Sequence, residues 1–384
     1  MGARCPVRPM KLLLCMSHTC PWSHSIAASL QAMGHEVHAF DFAYAKPGGF
    51  ASSHTRGVAS DLGEYRKAIT SFHLHHSAAH GSLRYVLAAP AFRRLAGRLR
   101  PDVVVSLGGG GYAWMVQLSG VRPYAVYVVG SEVLLASALA RRINRRVLTS
   151  AAVVFANGEY LAERAREQAP SAIIHPLLIG VDVEKLPTAC FDRRPIQLVC
   201  NRGFAPVYNN EAIVRALGRL PATLPDFRMV FVSGGIRLAE TIALADRILS
   251  PQLRAKVEFL GGVAYSQVLQ TLAHSHIFLS MSRSDGTATS LLEGMACGLF
   301  PIVSDIPQNR PLVRPHERNG ALVPLDDDNA LASAIGRALG DPDGCRRAAT
   351  RNRAIVEQLA DARRNRRVLA EHLERVGAAP RKVH

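Results

Sequence analysis

The run Ser282-Arg-Ser-Asp-Gly-Thr-Ala-Thr-Ser-Leu-Leu-Glu-Gly-Met-Ala-Cys-Gly298 gathers the most suggestive chemistry in the chain. Two carboxylates, Asp285 and Glu293, stand eight residues apart with small and hydroxyl residues between them. The apolar stretch Ile277–Met281 before them predicts a strand, and the pattern after them predicts a helix beginning near Ser290. A loop that enters a helix offers free backbone N–H groups and the positive end of the helix dipole, which suits a phosphate. A carboxylate accepts several hydrogen bonds, which suits sugar hydroxyls. The spacing thus points to a ligand that is part phosphate and part sugar. The same residues also fit a capping box, Ser290-x-x-Glu293, in which Glu293 only ties its own helix end.

Other clusters are weaker. Gly108 to Gly111 follow a strand, but no glycine-x-glycine-x-x-glycine pattern or ribose-binding acid accompanies them, so a loop of close approach is the better reading. His73, His75, His76 and His80 include an i, i+4 pair, His76 and His80, which one helix face could turn toward a metal. No third ligand is evident, and exposed histidines are the expectation. The seven cysteines are scattered without the two-residue spacing of a zinc or redox motif, so reduced thiols are expected.

Short apolar runs alternate with amphipathic stretches throughout. Strands are predicted at Lys11–Met16, Glu36–Phe40, Asp102–Leu107, Tyr124–Val129 and Ala152–Ala156. A second series follows at Ile196–Cys200, Arg228–Ser233, Lys256–Leu260, Ile277–Met281, Pro301–Ser304 and Ala321–Pro324. Continuous apolar strands separated by helices imply parallel sheets covered on both faces. The irregular stretch Pro187–Pro195 separates the two series, so the expected fold is α/β with two doubly wound domains facing across a cleft.

At 384 residues the chain is long enough for two domains, and a hydrophobic content of 48% excludes disorder as its main theme. The longest apolar run near the start has five residues, far short of a membrane span or a signal peptide. The net charge is +16, from 40 arginines and six lysines against 30 acids, so anionic partners are expected. Aromatics are only 6% and are not interleaved with the basic runs, which argues against nucleic acid. An anionic membrane surface stays open as a partner, beside phosphorylated small molecules and the plain alternative of solvated helix faces. Arg84, Arg93, Arg94, Arg98 and Arg100 share a stretch with Leu83, Tyr85, Val86, Leu87, Phe92 and Leu95, so one helix could carry both charge and apolar contact.

The Asp285 segment, with Pro301-Ile-Val-Ser-Asp305 after it, resembles the donor motif of retaining glycosyltransferases of family 4, which have the GT-B fold. Asn319-Gly-Ala-Leu-Val-Pro324 with Asp326, Asn201-Arg-Gly-Phe-Ala-Pro-Val-Tyr-Asn209 and Ile179-Gly-Val-Asp182 are similar to other signatures of that family. The likeness implies that Glu293 holds the nucleotide ribose and that Asp285 contacts the transferring sugar. It implies further that Gly286, Thr287, Ala288 and Ser290 meet the diphosphate, and that Arg202 neutralises it on leaving. Ser17, His18, Ser131 and Glu132 would face the acceptor, the last two within a Gly-Ser-Asp-like turn at Val129-Gly-Ser-Glu132. This chain departs from the pattern at four places. Asp285 replaces a glutamate, Gly294 replaces an alanine, Val207 to Asn209 lack a lysine, and Val129 stands where some members have a histidine.

The implied organisation is a Rossmann-like acceptor-side domain at 1–186, a donor domain at 187–360 and a basic C-terminal helix at 361–384 packing back on the first domain. The implied activity is transfer of a hexose-type sugar from a nucleotide-sugar donor to a lipid-linked or saccharide hydroxyl, in surface polysaccharide or glycolipid assembly. Neither metal nor cofactor is expected. The expected location is the cytoplasm, with peripheral contact at the inner face of the cell membrane. The alternatives are a UDP-sugar 2-epimerase-like enzyme, and a non-catalytic basic binding protein of the same fold.

Overall fold

The computed structural model describes residues 8–18, 20–43, 67–77, 79, 81–221 and 223–380. The chain divides into two compact units, each built on one parallel sheet. The first unit holds β1 (Lys11–Cys15), β2 (Glu36–Ala43), β3 (Ser71–His76), β4 (Val103–Leu107), β5 (Tyr124–Val128), β6 (Val153–Ala156) and β7 (Ile174–Pro176). The second holds β8 (Ile196–Cys200), β9 (Phe227–Phe231), β10 (Val257–Phe259), β11 (Ile277–Ser280), β12 (Phe300–Ser304) and β13 (Ala321–Val323).

Strand order is β3-β2-β1-β4-β5-β6-β7 in the first sheet and β10-β9-β8-β11-β12-β13 in the second. In both, the order reverses beside the first strand of the sheet. A crevice opens at the carboxyl ends of strands on either side of such a reversal, and ligands bind there. The chain after β1 and β4, and after β8 and β11, is therefore where chemistry is expected.

The strands are apolar on both faces because both faces are covered. Side chains alternate along a strand. Leu13 and Cys15 of β1 accordingly enter one core with Phe92, Val104 and Val126, while Leu12 and Leu14 enter another with Val103 and Val105. Leu369, Ala370 and Leu373 of the last helix, Ala362–Ala378, close this second core. Asn365 and Arg366 fasten that helix to the first unit through the Leu178 carbonyl at 2.9 Å and Ser29 Oγ at 3.0 Å. In the second unit Leu198 and Cys200 of β8 meet Phe231, Ile277, Leu279 and Ile335.

Several elements depart from the sequence reading, among them β7, which the apolar pattern does not predict, β3 and one helix. β3, with His73, His75 and His76, is a strand, so the helical i, i+4 arrangement does not arise; His80 lies outside the described residues. Phe92 and Leu95, expected to share an outer face with arginines, are buried in the core of the first unit. Their helix, Leu83–Leu99, turns Leu83 and Leu87 outward instead, with Arg93, Arg94 and Arg98 exposed. Among the described residues no helix is long and apolar enough to cross a membrane, and no group of three or more metal-ligating side chains is gathered.

Candidate active site

β8 and β11 are hydrogen-bonded neighbours, pairing Leu198 with Ile277 and Val199 with Phe278. The chain leaving β8 runs directly into Asn201 and Arg202, and the chain leaving β11 runs through Asp285 into the helix Thr289–Ala296. Neighbouring strands thus deliver their C-terminal loops to one place. Arg202 is the junction. One guanidinium nitrogen pairs with Asp285 Oδ2 and the other donates to Ser290 Oγ at 2.8 Å. The guanidinium also lies 4.3 Å from the centre of the Tyr208 ring, a cation–π distance.

Glu293 sits one turn further along the helix. Its Oε2 accepts from Asn201 Nδ2 at 3.2 Å and its Oε1 from the Tyr265 hydroxyl at 2.8 Å. Both carboxylates are pushed above their usual range, chiefly by burial. The effect of burial on Asp285 is opposed by the Arg202 charge and a backbone hydrogen bond from Gly286. Burial lifts Glu293 to about 7 against the hydrogen bonds from Tyr265 and Asn201 and the charge of Arg202.

The capping box does not form. The helix begins at Thr289, its N-cap is Ala288, and no side chain caps it. Ser290 is one residue inside, where its hydroxyl accepts from Arg202, and Glu293 turns to Asn201 and Tyr265 instead of to the helix end. Gly286, Thr287 and Ala288 form the buried approach to this helix. Two buried polar atoms here, Arg202 Nε and Asn201 Oδ1, have no hydrogen-bond partner among the described residues. Gly294 has a packing reason: a Cβ there would meet the Phe278 ring at 2.8 Å.

The first unit gathers a second polar cluster at the reversal beside β1. His18, in the loop after β1, donates its backbone N–H to Asp41 Oδ2 at 2.7 Å and places Nδ1 against the same oxygen. The Tyr112 hydroxyl donates to the other oxygen, Oδ1. Asp41 itself is fully buried. Ser17 is half-buried beside His18, and Ser131 is exposed at the start of the turn Ser131–Leu134. Glu132 is occupied by backbone. Its Oε1 accepts from Val129 N at 2.5 Å and Gly109 N at 3.1 Å, and its Oε2 from Gly130 N at 3.0 Å. It fastens the loop after β4 to the loop after β5. Part of the glycine run is explained by Tyr85, whose ring occupies the place a Cβ of Gly111 would take.

Asn201, Tyr265, Asp41 and Tyr112 were not marked as site residues from the sequence. Asn201 adjoins Arg202 at a strand end, which could have marked it. Asp41 belongs to a strand longer at its C-terminal end than the apolar pattern predicts.

Residues 191–355 match the family model of the glycosyl transferases group 1, and residues 23–176 match that of a glycosyl transferase 4-like domain. Over 176 residues the chain is 29% identical to a GDP-mannose-dependent monoacylated alpha-(1-6)-phosphatidylinositol monomannoside mannosyltransferase of Corynebacterium glutamicum, a stretch covering 43% of each chain. Over 128 residues it is 29% identical to a GDP-mannose:cellobiosyl-diphosphopolyprenol alpha-mannosyltransferase of Xanthomonas oryzae pv. oryzae, covering 33% of each. The match thus spans less than half the length of these relatives. Among solved structures, sucrose-phosphate synthase from Thermosynechococcus elongatus superposes with a TM-score of 0.76 at 16% identity, covering 94% of this chain and 98% of that one. Anabaena HepE in complex with UDP and glucose superposes with a TM-score of 0.76 at 17% identity, covering 95% and 100%. Two family models that together take in most of the chain, and two Rossmann-like units with the architecture of those enzymes, place this protein in the glycosyl transferases group 1, with the GT-B fold.

Proposed function

We propose that this protein transfers a sugar from a nucleotide-sugar donor to a hydroxyl of a lipid-linked acceptor, with retention at the anomeric carbon. The observation that carries the reading is the convergence of Arg202, Asp285, Ser290 and Glu293 at the strand reversal of the second unit. Glu293, held by Asn201 and Tyr265, is placed to accept hydrogen bonds from the ribose. The loop Gly286–Ala288 and Ser290 offer the helix start to the diphosphate. Arg202 then has a defined task. Its charge is paired with Asp285, and a diphosphate gaining charge as it leaves is the better partner for it. Asp285, released, turns to the sugar hydroxyls.

Transfer on the donor's own face requires no protein nucleophile. The acceptor oxygen bonds to the anomeric carbon as the bond to the diphosphate breaks, and the acceptor proton passes to a diphosphate oxygen. Arg202 and the helix start supply the positive charge that a metal ion provides in other enzymes. On the acceptor side, His18 is oriented by buried Asp41 and Tyr112, with Ser17 and Ser131 beside their respective loops. Glu132 keeps the loops after β4 and β5 in place.

The names of the relatives support GDP-mannose as the first donor to test and a lipid-linked acceptor. Work on such an acceptor suits reversible attachment to an anionic membrane. Leu83, Leu87, Arg94 and Arg98 recur at helical spacing along one exposed stripe of Leu83–Leu99, with Arg93 beside it. The test is release of nucleoside diphosphate from nucleotide sugars with and without lipid-linked acceptor. Acceptor-dependent release with formation of a new glycoside supports the proposal. Interconversion of free nucleotide sugars without acceptor would favour an epimerase, and binding without turnover would favour a binding protein.

A further inference from the structure

The opposite edge of the second sheet carries its own concentration of positive charge. β12 begins at Phe300 and β13 at Ala321, so these residues mark amino ends of strands, whereas Arg202 and Asp285 follow carboxyl ends. A cavity of about 590 Å³ opens at this amino edge, over Phe300 and the buried Ala338, and Arg318, Arg337, Arg347 and Arg351 all line it. Among the described residues a single carboxylate shares the lining, that of Asp341.

That carboxylate does not balance the charge. Asp341 Oδ1 accepts from the Gly344 backbone N–H at 2.8 Å and lies 3.6 Å from an Arg347 nitrogen. Arg351 donates to the Glu317 carbonyl, a neutral partner. The side chains of Arg318 and Arg337 have no hydrogen-bond or ion-pair partner among the described residues. Arg318 also holds a left-handed backbone, φ 54°, which a residue with a Cβ adopts at some cost. Four guanidinium groups around one cavity repel one another, and an anion placed among them removes that repulsion. Guanidinium forks match phosphate oxygens in pairs. The volume lies within the roughly 300–1,000 Å³ of small-molecule sites.

We propose that this cavity is a second anion site, separate from the donor site. It takes a small molecule bearing a phosphate or diphosphate group, with the non-ionic part of the ligand on Phe300 and Ala338. The same phosphate chemistry could be offered by a free phosphate ester or by a lipid headgroup.

The experiment titrates inorganic pyrophosphate into the full chain by calorimetry, and in parallel sediments it with vesicles of neutral lipid or of neutral lipid mixed with phosphatidic acid. Two variants accompany the wild type: Arg318→Glu/Arg337→Glu, and Arg202→Ala, which removes the cation of the donor site. Arg202→Ala should retain a pyrophosphate site, and Arg318→Glu/Arg337→Glu should lose it by tenfold or more. Both altered arginines of the latter are exposed, and Arg318→Gln/Arg337→Gln gives the same reading if the charge reversal disturbs folding. Binding to phosphatidic acid vesicles but not to pyrophosphate, lost in the same variant, would assign the site to a headgroup. Equal binding of both probes by wild type and the Arg318/Arg337 variants overturns the proposal. Because Arg202→Ala isolates this site, its failure is distinct from failure of the donor reading.

Discussion

Tyr265 donates its hydroxyl to Oε1 of Glu293 at 2.8 Å, joining the first residue of one helix to the middle of another 28 positions along the chain. With Asn201 on the other oxygen, the carboxylate has donors on both sides, yet burial still raises its pKa to about 7. The sign of the consequence is definite. Between about pH 4.5 and 7 the unfolded chain releases this proton while the folded chain keeps it, so stability falls as pH rises across that window and levels off above it. The full effect is about 3 kcal/mol. Thermal melts at pH 5 and pH 8 should therefore differ more in the wild type than in Glu293→Gln, and an equal difference in both would contradict this account of the site.

The two carboxylates should separate in their effects. Glu293→Gln is expected to weaken nucleoside diphosphate binding, because a charge-assisted hydrogen bond of about 1.5–3 kcal/mol is lost, corresponding to about 10- to 150-fold. Asp285→Asn is expected to lower kcat while diphosphate affinity holds, since the proposed function gives it the sugar as partner. Calorimetry with the nucleoside diphosphate, beside steady-state kinetics, checks both. The reverse pattern would exchange the two roles.

Much of the candidate site was legible in the sequence because it is local. Strand β11, the loop through Asp285 and the helix carrying Glu293 follow one another without interruption, so periodicity and helix-start signals bear on a single stretch. Tyr265 is another matter. It reaches Glu293 only through the packing of a helix whose own pattern reads as ordinary amphipathic surface. The alternative reading, a capping box, is not realised for a physical reason: the helix starts one residue earlier than its apolar pattern suggests, which moves Ser290 inside it. β3 was missed because its histidines alternate with apolar residues on an edge strand, leaving no apolar run to detect. Phe92 and Leu95 were assigned to the outer face because a one-dimensional tally of apolar and basic residues does not say which side of a helix meets the sheet.

Transfer, or slow hydrolysis of the donor, should survive EDTA. Arg202, Ser290 and the helix start at Thr289 already gather positive charge and N–H donors where the diphosphate would lie. Assays with and without chelator, then with added magnesium or manganese, read this directly. Loss of activity with EDTA and its return with metal would transfer the role of Arg202 to a cation.

Binding to membranes should require anionic lipid and weaken with salt. Each arginine near such a surface contributes about 1 kcal/mol, screened at higher ionic strength. Vesicle sedimentation of the wild type against an Arg93→Glu/Arg94→Glu/Arg98→Glu variant should show a clear loss in the variant, and Leu83→Ser/Leu87→Ser should weaken binding less. Equal sedimentation with neutral and anionic vesicles would point to a soluble acceptor.

Whether Arg202, Asp285, Ser290 and Glu293 form the site of a nucleotide-sugar donor is read by a thermal-shift panel of nucleoside diphosphates and their sugars. A ligand that binds only the folded chain raises the melting temperature with its concentration over Kd, by about 2.7 kcal/mol of stability at a hundredfold excess. One base, as diphosphate and as its sugar conjugate, should stabilise the wild type well beyond the others, and Glu293→Gln should abolish most of that selectivity. A flat panel, or a selective shift that persists undiminished in Glu293→Gln and Arg202→Ala, would contradict the donor-site assignment.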